Sequence, residues 1–534
     1  MIGVDVGDCR LGAARARHVL AELALMAGLP RAAGPPAATL AYGRLEPRPG
    51  PKVVIPAETE HVAREVPPEV WRDRGVDVPI LYRAPTPRGE VLARTVGGDP
   101  LVVRAGEAVH LGFDVAAAAD YYLNGRGEVG WPRDRCDRPA LAGAPPWRRE
   151  AVGVAVVNRY AKLLSLAVEA ACEAAAVPVL RFKYWPDGAS FAAALSHDVD
   201  RLRAPKRREM LRACLRISKG GARARYKFAD VLRGSVTFDP LAAIWEAEEG
   251  AGGASTFFVG ASRRGPMDFA YDLDEVTPLI REVAARGREV ALHGSFYTNA
   301  DGRALAGERD LLARAAGGEV AGVRGHYLRL GGEAGWQAVE GAGFDYDASF
   351  GFAGEVGWRS GAALPYRPFD GAADRACGFV EIPPAVMDGA LFQYKRLGGD
   401  EALAAALRVV DEAAACGGLC SLIWHYRAFR GGAFPAWGDV FARAVSYISE
   451  AGGRALTHRE IAARYRLNAA IVAQGLSKDG TVEITLPPGA PGDVFFDVPT
   501  GWKVAGGDVL ALSSRSFKVR PGVRALAVTF ARER

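Results

Sequence analysis

Residues 191–200 read FAAALSHDVD. The run Phe191–Leu195 is short, unbroken and apolar. That predicts a strand buried on both faces, the kind found in parallel sheets covered by helices. Three polar side chains follow directly, Ser196, His197 and Asp198, and with Asp200 the predicted strand end carries two carboxylates separated by one residue. Working outward, further short apolar runs predict strands at Ser255–Val259, Glu289–Leu292, Gly322–Arg324, Phe379–Ile382 and Leu419–Trp424. Helical stretches such as Leu273–Arg286 and Asp400–Ala415 lie between them. Strand and helix in alternation mean parallel strands joined by right-handed crossovers. About seven such units predict an α/β fold, a closed or nearly closed β/α barrel.

Four strand ends carry a histidine: His197, His293, His326 and His425. The C-terminal strand ends of such a barrel form one face, where sites are built, so residues far apart in sequence are predicted to converge there. A carboxylate pair on one turn can divide labour, one as general base and one as metal ligand. The other reading of Asp198 and Asp200 is a cap for the helix predicted next, RLRAPKRREM. One histidine at a strand end is more often a hydrogen-bonded structural residue than a ligand. Four on one rim are harder to set aside.

The landmarks SHDVD (Ser196–Asp200), STFFVG (Ser255–Gly260), ALHGS (Ala291–Ser295), RGHY (Arg324–Tyr327), YDASFGF (Tyr346–Phe352), EIPPAVMDG (Glu381–Gly389) and LIWHYRAF (Leu422–Phe429) follow one another along the chain. In this order they resemble the NodB-like polysaccharide deacetylase superfamily, and most of all a branch in which an uncharacterised N-terminal α/β domain precedes a deformed (β/α) barrel. The resemblance implies a metal-dependent hydrolase that removes an N-acyl group from a carbohydrate or related amide. It implies Asp198 as the base, His425 as the general acid, Arg324 as the residue that orients the base, and Asp200 and His293 as metal ligands. Zinc is the expected divalent ion, with cobalt, nickel or manganese as alternatives. Tyr327, Trp424, Ser295 and Asp388 are expected around the carbohydrate substrate.

Two departures from the family pattern stand out. Val199 separates aspartates that are adjacent in the family, and Tyr297 stands where the second metal histidine is usual. Asp200 and His293 alone fall short of the three protein ligands usual for a catalytic zinc. His326, where the family has a proline, is expected to supply the missing imidazole, with a ring nitrogen within roughly 5 Å of one on His293. The departures also leave open a non-catalytic, carbohydrate-binding pseudoenzyme on the same barrel. An O-acyl esterase would use the same site.

At 49% hydrophobic and 24% charged residues, the composition excludes a disordered, collagenous or disulfide-scaffold chain. The 534 residues leave room for more than the barrel, which is expected over residues 186–466. Residues 1–185 mix short apolar runs with Pro-rich loops and predict an N-terminal α/β domain of unknown role. Strands are expected there at Val53–Ile55 and Ile80–Tyr82, and a long helix over Val152–Ala176. GVDVG at the start reads as a first strand and turn. HVLAELALMAG (His18–Gly28) carries Glu22 and a helical period, which predicts an amphipathic helix rather than a signal peptide. Residues 467–534 hold the alternating TVEITL (Thr481–Leu486), followed by turn signals, which predicts a small antiparallel β module.

The apolar stretch Ala151–Leu180 is broken by Arg159, Lys162, Glu169 and Glu173, so no transmembrane segment is expected. Seven thinly spread cysteines, an odd number, read as reduced thiols and predict a cytoplasmic protein. An intracellular substrate, such as a phosphate-linked sugar, would then follow. Sixty-seven basic against 62 acidic residues, net +5, do not call for nucleic acid. The basic stretch Arg201–Arg233 reads as a solvated helix face, or as a contact for a phosphorylated sugar, an acidic glycan or a membrane surface.

Overall fold

The strand that begins at Phe191 runs on through the polar residues. β1 spans Phe191–Val199, and every residue in it is buried. It lies inside a parallel sheet with β2 (Thr256–Val259), β3 (Glu289–Gly294), β4 (Gly322–Gly325), β5 (Tyr346–Asp347), β6 (Val380–Glu381), β7 (Val386–Met387), β8 (Leu419–Ile423) and β9 (Gly453–Leu456). The hydrogen-bonded order is β6-β5-β4-β3-β2-β1-β8-β7, and β9 pairs the first half of β1. No pairing joins β6 to β7, so the barrel is open there and deformed. The computed structural model describes residues 1–43, 50–57, 68–202, 240–429, 436–476, 481–488, 490, 493–498, 501–507 and 509–532. Almost all of the basic stretch expected to meet an anionic partner lies outside the described residues.

The two-residue period of β1 sorts its side chains between two layers. Phe191, Ala193, Leu195 and Val199 pack with the surrounding helices, while Ala192 and Ala194 belong to a second core that reaches into the N-terminal region. Ser196, Asp198 and Asp200 continue the second set. His197 falls in the first, against Phe257, Phe429 and Phe441. The helices that cover the barrel include Leu273–Ala285, started by an Asp272–Glu275 capping box, and Gly399–Ala415, which packs against Trp437–Glu450.

In the N-terminal region the parallel strands Ile2–Val6, Ala38–Tyr42, Lys52–Ile55 and Ala108–Leu111 lie side by side. The helices Ala13–Met26 and Val156–Ala174 pack on each other and on these strands. The strand expected at Ile80–Tyr82 is instead Val76–Ile80; Tyr82 lies beyond it at φ 53. The tail strands pair antiparallel among themselves and divide between two sheets: Phe495–Asp497, Ser516–Val519 and Val509–Ala511 form one with Arg181–Phe182, and the others join the N-terminal sheet. Val472–Leu476 pairs in parallel with Arg31–Ala32, and Thr481–Thr485, Ala525–Arg532 and Trp502–Gly507 follow, which extends the N-terminal sheet to eleven strands. A bare edge at Arg31–Ala32 would present unpaired backbone groups, and the tail covers it. Among the described residues no single helix is long and apolar enough to cross a membrane.

Candidate active site

Register places the reacting groups. β3 and β4 pair His293 with Arg324, so both side chains leave the sheet together, facing Asp198 on β1. Just beyond β1, Asp200 completes the cluster. Its Oδ1 lies 3.5 Å from His293 Nε2 and 3.4 Å from His326 Nε2. One ligand atom from each of Asp200, His293 and His326 can be chosen so that all lie within 4.8 Å of one another. That separation is inside the limit expected for His293 and His326. Ligands of a tetrahedral zinc at 2.0–2.1 Å stand about 3.3 Å apart, close to the two spacings seen here.

The donor chemistry fits a divalent ion. His293 Nδ1 donates to Arg324 O at 2.9 Å, which leaves the Nε2 lone pair facing Asp200. Asp200 Oδ1 is buried and has no hydrogen-bond donor among the described residues, since both imidazole nitrogens stand too far away for a good one. Burial pushes the Asp200 carboxyl up, but His425 and the two facing histidines outweigh it and hold the group well below its ordinary range. Burial outweighs Asp200 at His326 and keeps that imidazole below its ordinary pKa. At His293 the order reverses, and the nearby carboxylates raise it against burial. The His326 ring stacks on both Phe269 and Tyr327, with centroids 4.8 and 4.2 Å away.

Among the described residues, Asp198 is held from one side. Arg324 Nη1 donates to its Oδ1 at 2.7 Å, while Oδ2 lies 3.7 Å from His293 Nε2. Burial raises the Asp198 carboxyl, but Arg324, His293 and His425 outweigh it and the net shift is downward. Arg324 is itself fixed by Ser196 Oγ at 2.9 Å, by Ala348 O at 3.1 Å and by the ring of Phe258 beneath it. Its Nη2 also donates to His458 Nε2 at 3.2 Å. His425 Nε2 lies 3.5 Å from Asp200 Oδ2, and Nδ1 donates to Asp388 Oδ1 at 2.6 Å. Burial lowers the His425 pKa, yet the Asp388 and Asp200 charges raise it further, to about 9.

Four expectations need correction. His197 is not on the rim: it is fully buried behind the sheet, with Nε2 2.8 Å from Glu248 Oε1 and Nδ1 3.1 Å from Trp424 O. Trp424 is equally buried, its Nε1 donating to Trp437 O, so it is a packing residue rather than a substrate contact. Ser295 is 1% exposed and its Oγ donates to Asp268 Oδ1 at 2.8 Å, which ties the loop after β3 to the segment after β2. Asp388 is fully buried and engages the ring and backbone N–H of His425, so it orients that ring and does not touch substrate. Tyr327 stays at the site as the half-buried ring on His326. Arg427, with Nη2 4.0 Å from Asp200 Oδ2, and His458 were not foreseen. Arg427 follows His425 by two residues, which was a usable signal; His458 opens a distant helix and gave none.

The barrel is similar to that of polysaccharide deacetylases. Among solved structures, a protein from Mycobacterium smegmatis named as a polysaccharide deacetylase shares 20% identity, over 54% of this chain and 93% of its own, at a TM-score of 0.36. Puue allantoinase shares 15%, over 53% of this chain and 93% of its own, at 0.38. A CE4-family pseudoenzyme from Bacillus anthracis shares 12%, over 51% and 65%, at 0.28. At these identities the likeness is one of chain path, and it leaves the N-terminal domain unmatched. No family model and no curated protein matches the sequence.

Proposed function

We propose that the chain is a metal-dependent hydrolase that removes an N-acyl group, acetyl foremost, from a carbohydrate or related amide. The convergence of Asp200, His293 and His326, beside an acid and a base of opposite environment, carries this reading. An amide carbonyl is a poor electrophile and water a poor nucleophile at neutral pH. A divalent ion, zinc before cobalt, nickel or manganese, would be held by Asp200, His293 and His326 and would supply Lewis acidity toward the carbonyl and a lowered pKa for water. The remaining work falls to the chain's own groups. Arg324 occupies one oxygen of Asp198 and keeps the carboxyl ionised, leaving Oδ2 to take the proton of the attacking water. His425, its raised pKa keeping it protonated, offers the Nε2 proton to the departing amine. Asp388 at Nδ1 fixes which nitrogen faces the site. Asp198 and His425 thus have their pKa values pushed apart, as a base and an acid require.

The support for a phosphate-bearing, cytoplasmic substrate is the basic stretch Arg201–Arg233 and the cysteine usage, both features of the sequence. The test is a screen of N-acetylated amino sugars and nucleotide sugars for acetate release by metal-loaded protein, with O-acetylated sugars separating amide from ester cleavage. Asp198→Asn is expected to keep the metal and lose acetate release. A variant that also empties the site would exchange the roles of Asp198 and Asp200. Wild-type protein that binds metal but releases nothing from any of these sugars would overturn the hydrolase reading.

A further inference from the structure

The segment Trp131–Ala140 belongs to the N-terminal region but reaches the mouth of the barrel. Arg138, 7% exposed, is its anchor. Its Nε and Nη2 pair with Asp134 Oδ2 at 2.9 and 2.6 Å, its Nη1 donates to Tyr327 O at 2.6 Å, and Nη2 also reaches Tyr394 Oη at 3.2 Å. Asp134 is pinned in turn, its Oδ1 accepting the backbone N–H groups of Cys136 and Arg138 at 2.8 and 3.1 Å. From the barrel side, Arg329 Nε donates to Cys136 O at 3.1 Å and Nη1 to Phe296 O at 2.9 Å. Four segments are therefore tied together: the loop after β3, the loop after β4, the stretch after β7 that carries Tyr394, and this N-terminal strap.

The backbone at the centre of the knot is strained. Tyr327 has φ 63 and Leu328 φ 54, a region side-chain-bearing residues adopt only when their surroundings enforce it. The Tyr327 carbonyl is the group that Arg138 holds, and the Tyr327 ring stacks on His326 with centroids 4.2 Å apart and planes 27° from parallel. We infer that Arg138 is a positioning residue for His326, so that the N-terminal region, through the Asp134–Arg138–Tyr327 clamp, aims this imidazole at Asp200 and His293. The inference rests on the metal-site reading given above. On this account the N-terminal region is part of the catalytic unit, not a separate module, because the strap completes the mouth of the barrel.

The test uses the full chain, stripped of metal and titrated with cobalt(II) against a chelator. Cobalt affinity, the visible cobalt spectrum and metal-free thermal unfolding are read together. Arg138→Met is expected to weaken cobalt binding about 10-fold and to alter the visible bands, because the ligand ring is no longer held. Arg138→Lys can still donate to the Tyr327 carbonyl but not fork onto Asp134, and should recover part of the loss. Asp134→Asn, a milder change, should move both readings in the same direction and serves if Arg138→Met does not fold. Wild-type protein that binds no cobalt would sink the metal-site reading and the clamp with it. Wild-type binding with unchanged affinity and spectrum in the folded Arg138 or Asp134 variants would sink the clamp alone and leave the metal site standing.

Discussion

On the metal-site reading proposed above, His326 supplies the imidazole that Tyr297 does not. Tyr297 lies four residues beyond His293, yet it is 45% exposed on the loop after β3 and packs against Phe296. His326 reaches Asp200 from the next strand, because the pairing of His293 with Arg324 sets the residue two places on beside the same carboxylate. A ligand can migrate this way because the geometry of an ion constrains where nitrogens stand, not which strand they come from. His326→Ala is therefore expected to cost on the order of 10-fold or more in zinc affinity, at least what removing a residue that merely orients a ligand costs. Tyr297→Phe should leave that affinity unchanged within about twofold, since the hydroxyl has no ligand to orient. Isothermal titration of both variants decides the point, and the reverse ranking would return Tyr297 to the site and His326 to packing.

At the scale of the elements, the alternation of β1 separates the candidate site from packing. Asp198 faces the site, and His197, one residue away, faces the helices and pairs with Glu248. Both partners are fully buried, and Ser255 Oγ and Arg288 share the same carboxylate. Removing one member leaves buried polar groups unpaired, so Glu248→Ala should destabilise the fold by about 2–4 kcal/mol. Metal affinity of the folded fraction should not change; a matching loss of metal would mean that β1 does not insulate the two faces. This sorting was open to the sequence in part. Had the strand been carried to Val199 instead of stopping at Leu195, its period of two would have put Asp198 with Asp200 and turned His197 away. The same period on β8 sends Leu422 and Trp424 into the helix-facing core, which removes Trp424 from the substrate. The role of Asp388 could not be reached so. It depends on β7, two residues long and too short to show a period, whose pairing of Met387 with Ile423 brings Asp388 beside His425. The long barrel strands were readable because apolar runs between helices leave few alternatives. The joining of the tail to the N-terminal sheet was not, because a parallel contact between Arg31 and Val472 leaves no local mark.

The first helix and the helix at the end of the barrel are joined by a contact that makes the molecule's stability depend on pH. Glu22, on the first helix, accepts from Tyr465 Oη, which lies on the helix His458–Ala469 at the end of the barrel. His18, one turn earlier, donates from Nε2 to Arg367 O at 2.7 Å. Burial raises the Glu22 carboxyl from its ordinary 4.5 to about 7, against the pull of Tyr465 and Arg367. Burial likewise lowers His18 from 6.5 to about 4. The folded protein thus prefers both groups neutral. For Glu22 the folded state binds the extra proton between pH 4.5 and about 7, so stability falls as pH rises through that window, by roughly 3 kcal/mol in all, and is level above it. For His18 the unfolded chain binds the extra proton between about 4 and 6.5, so stability falls as pH drops through that window. The two slopes oppose each other from pH 4.5 to 6.5, and only the Glu22 loss is still present at pH 8. Glu22→Gln keeps an acceptor for Tyr465 and removes the ionisation. Urea unfolding at pH 5 and pH 8 should therefore show the variant gaining on wild type at the higher pH, by on the order of 2–3 kcal/mol. An equal difference at both pH values would mean that Glu22 ionises in the folded protein at its ordinary pKa, with the joint between the first helix and the end of the barrel open to water.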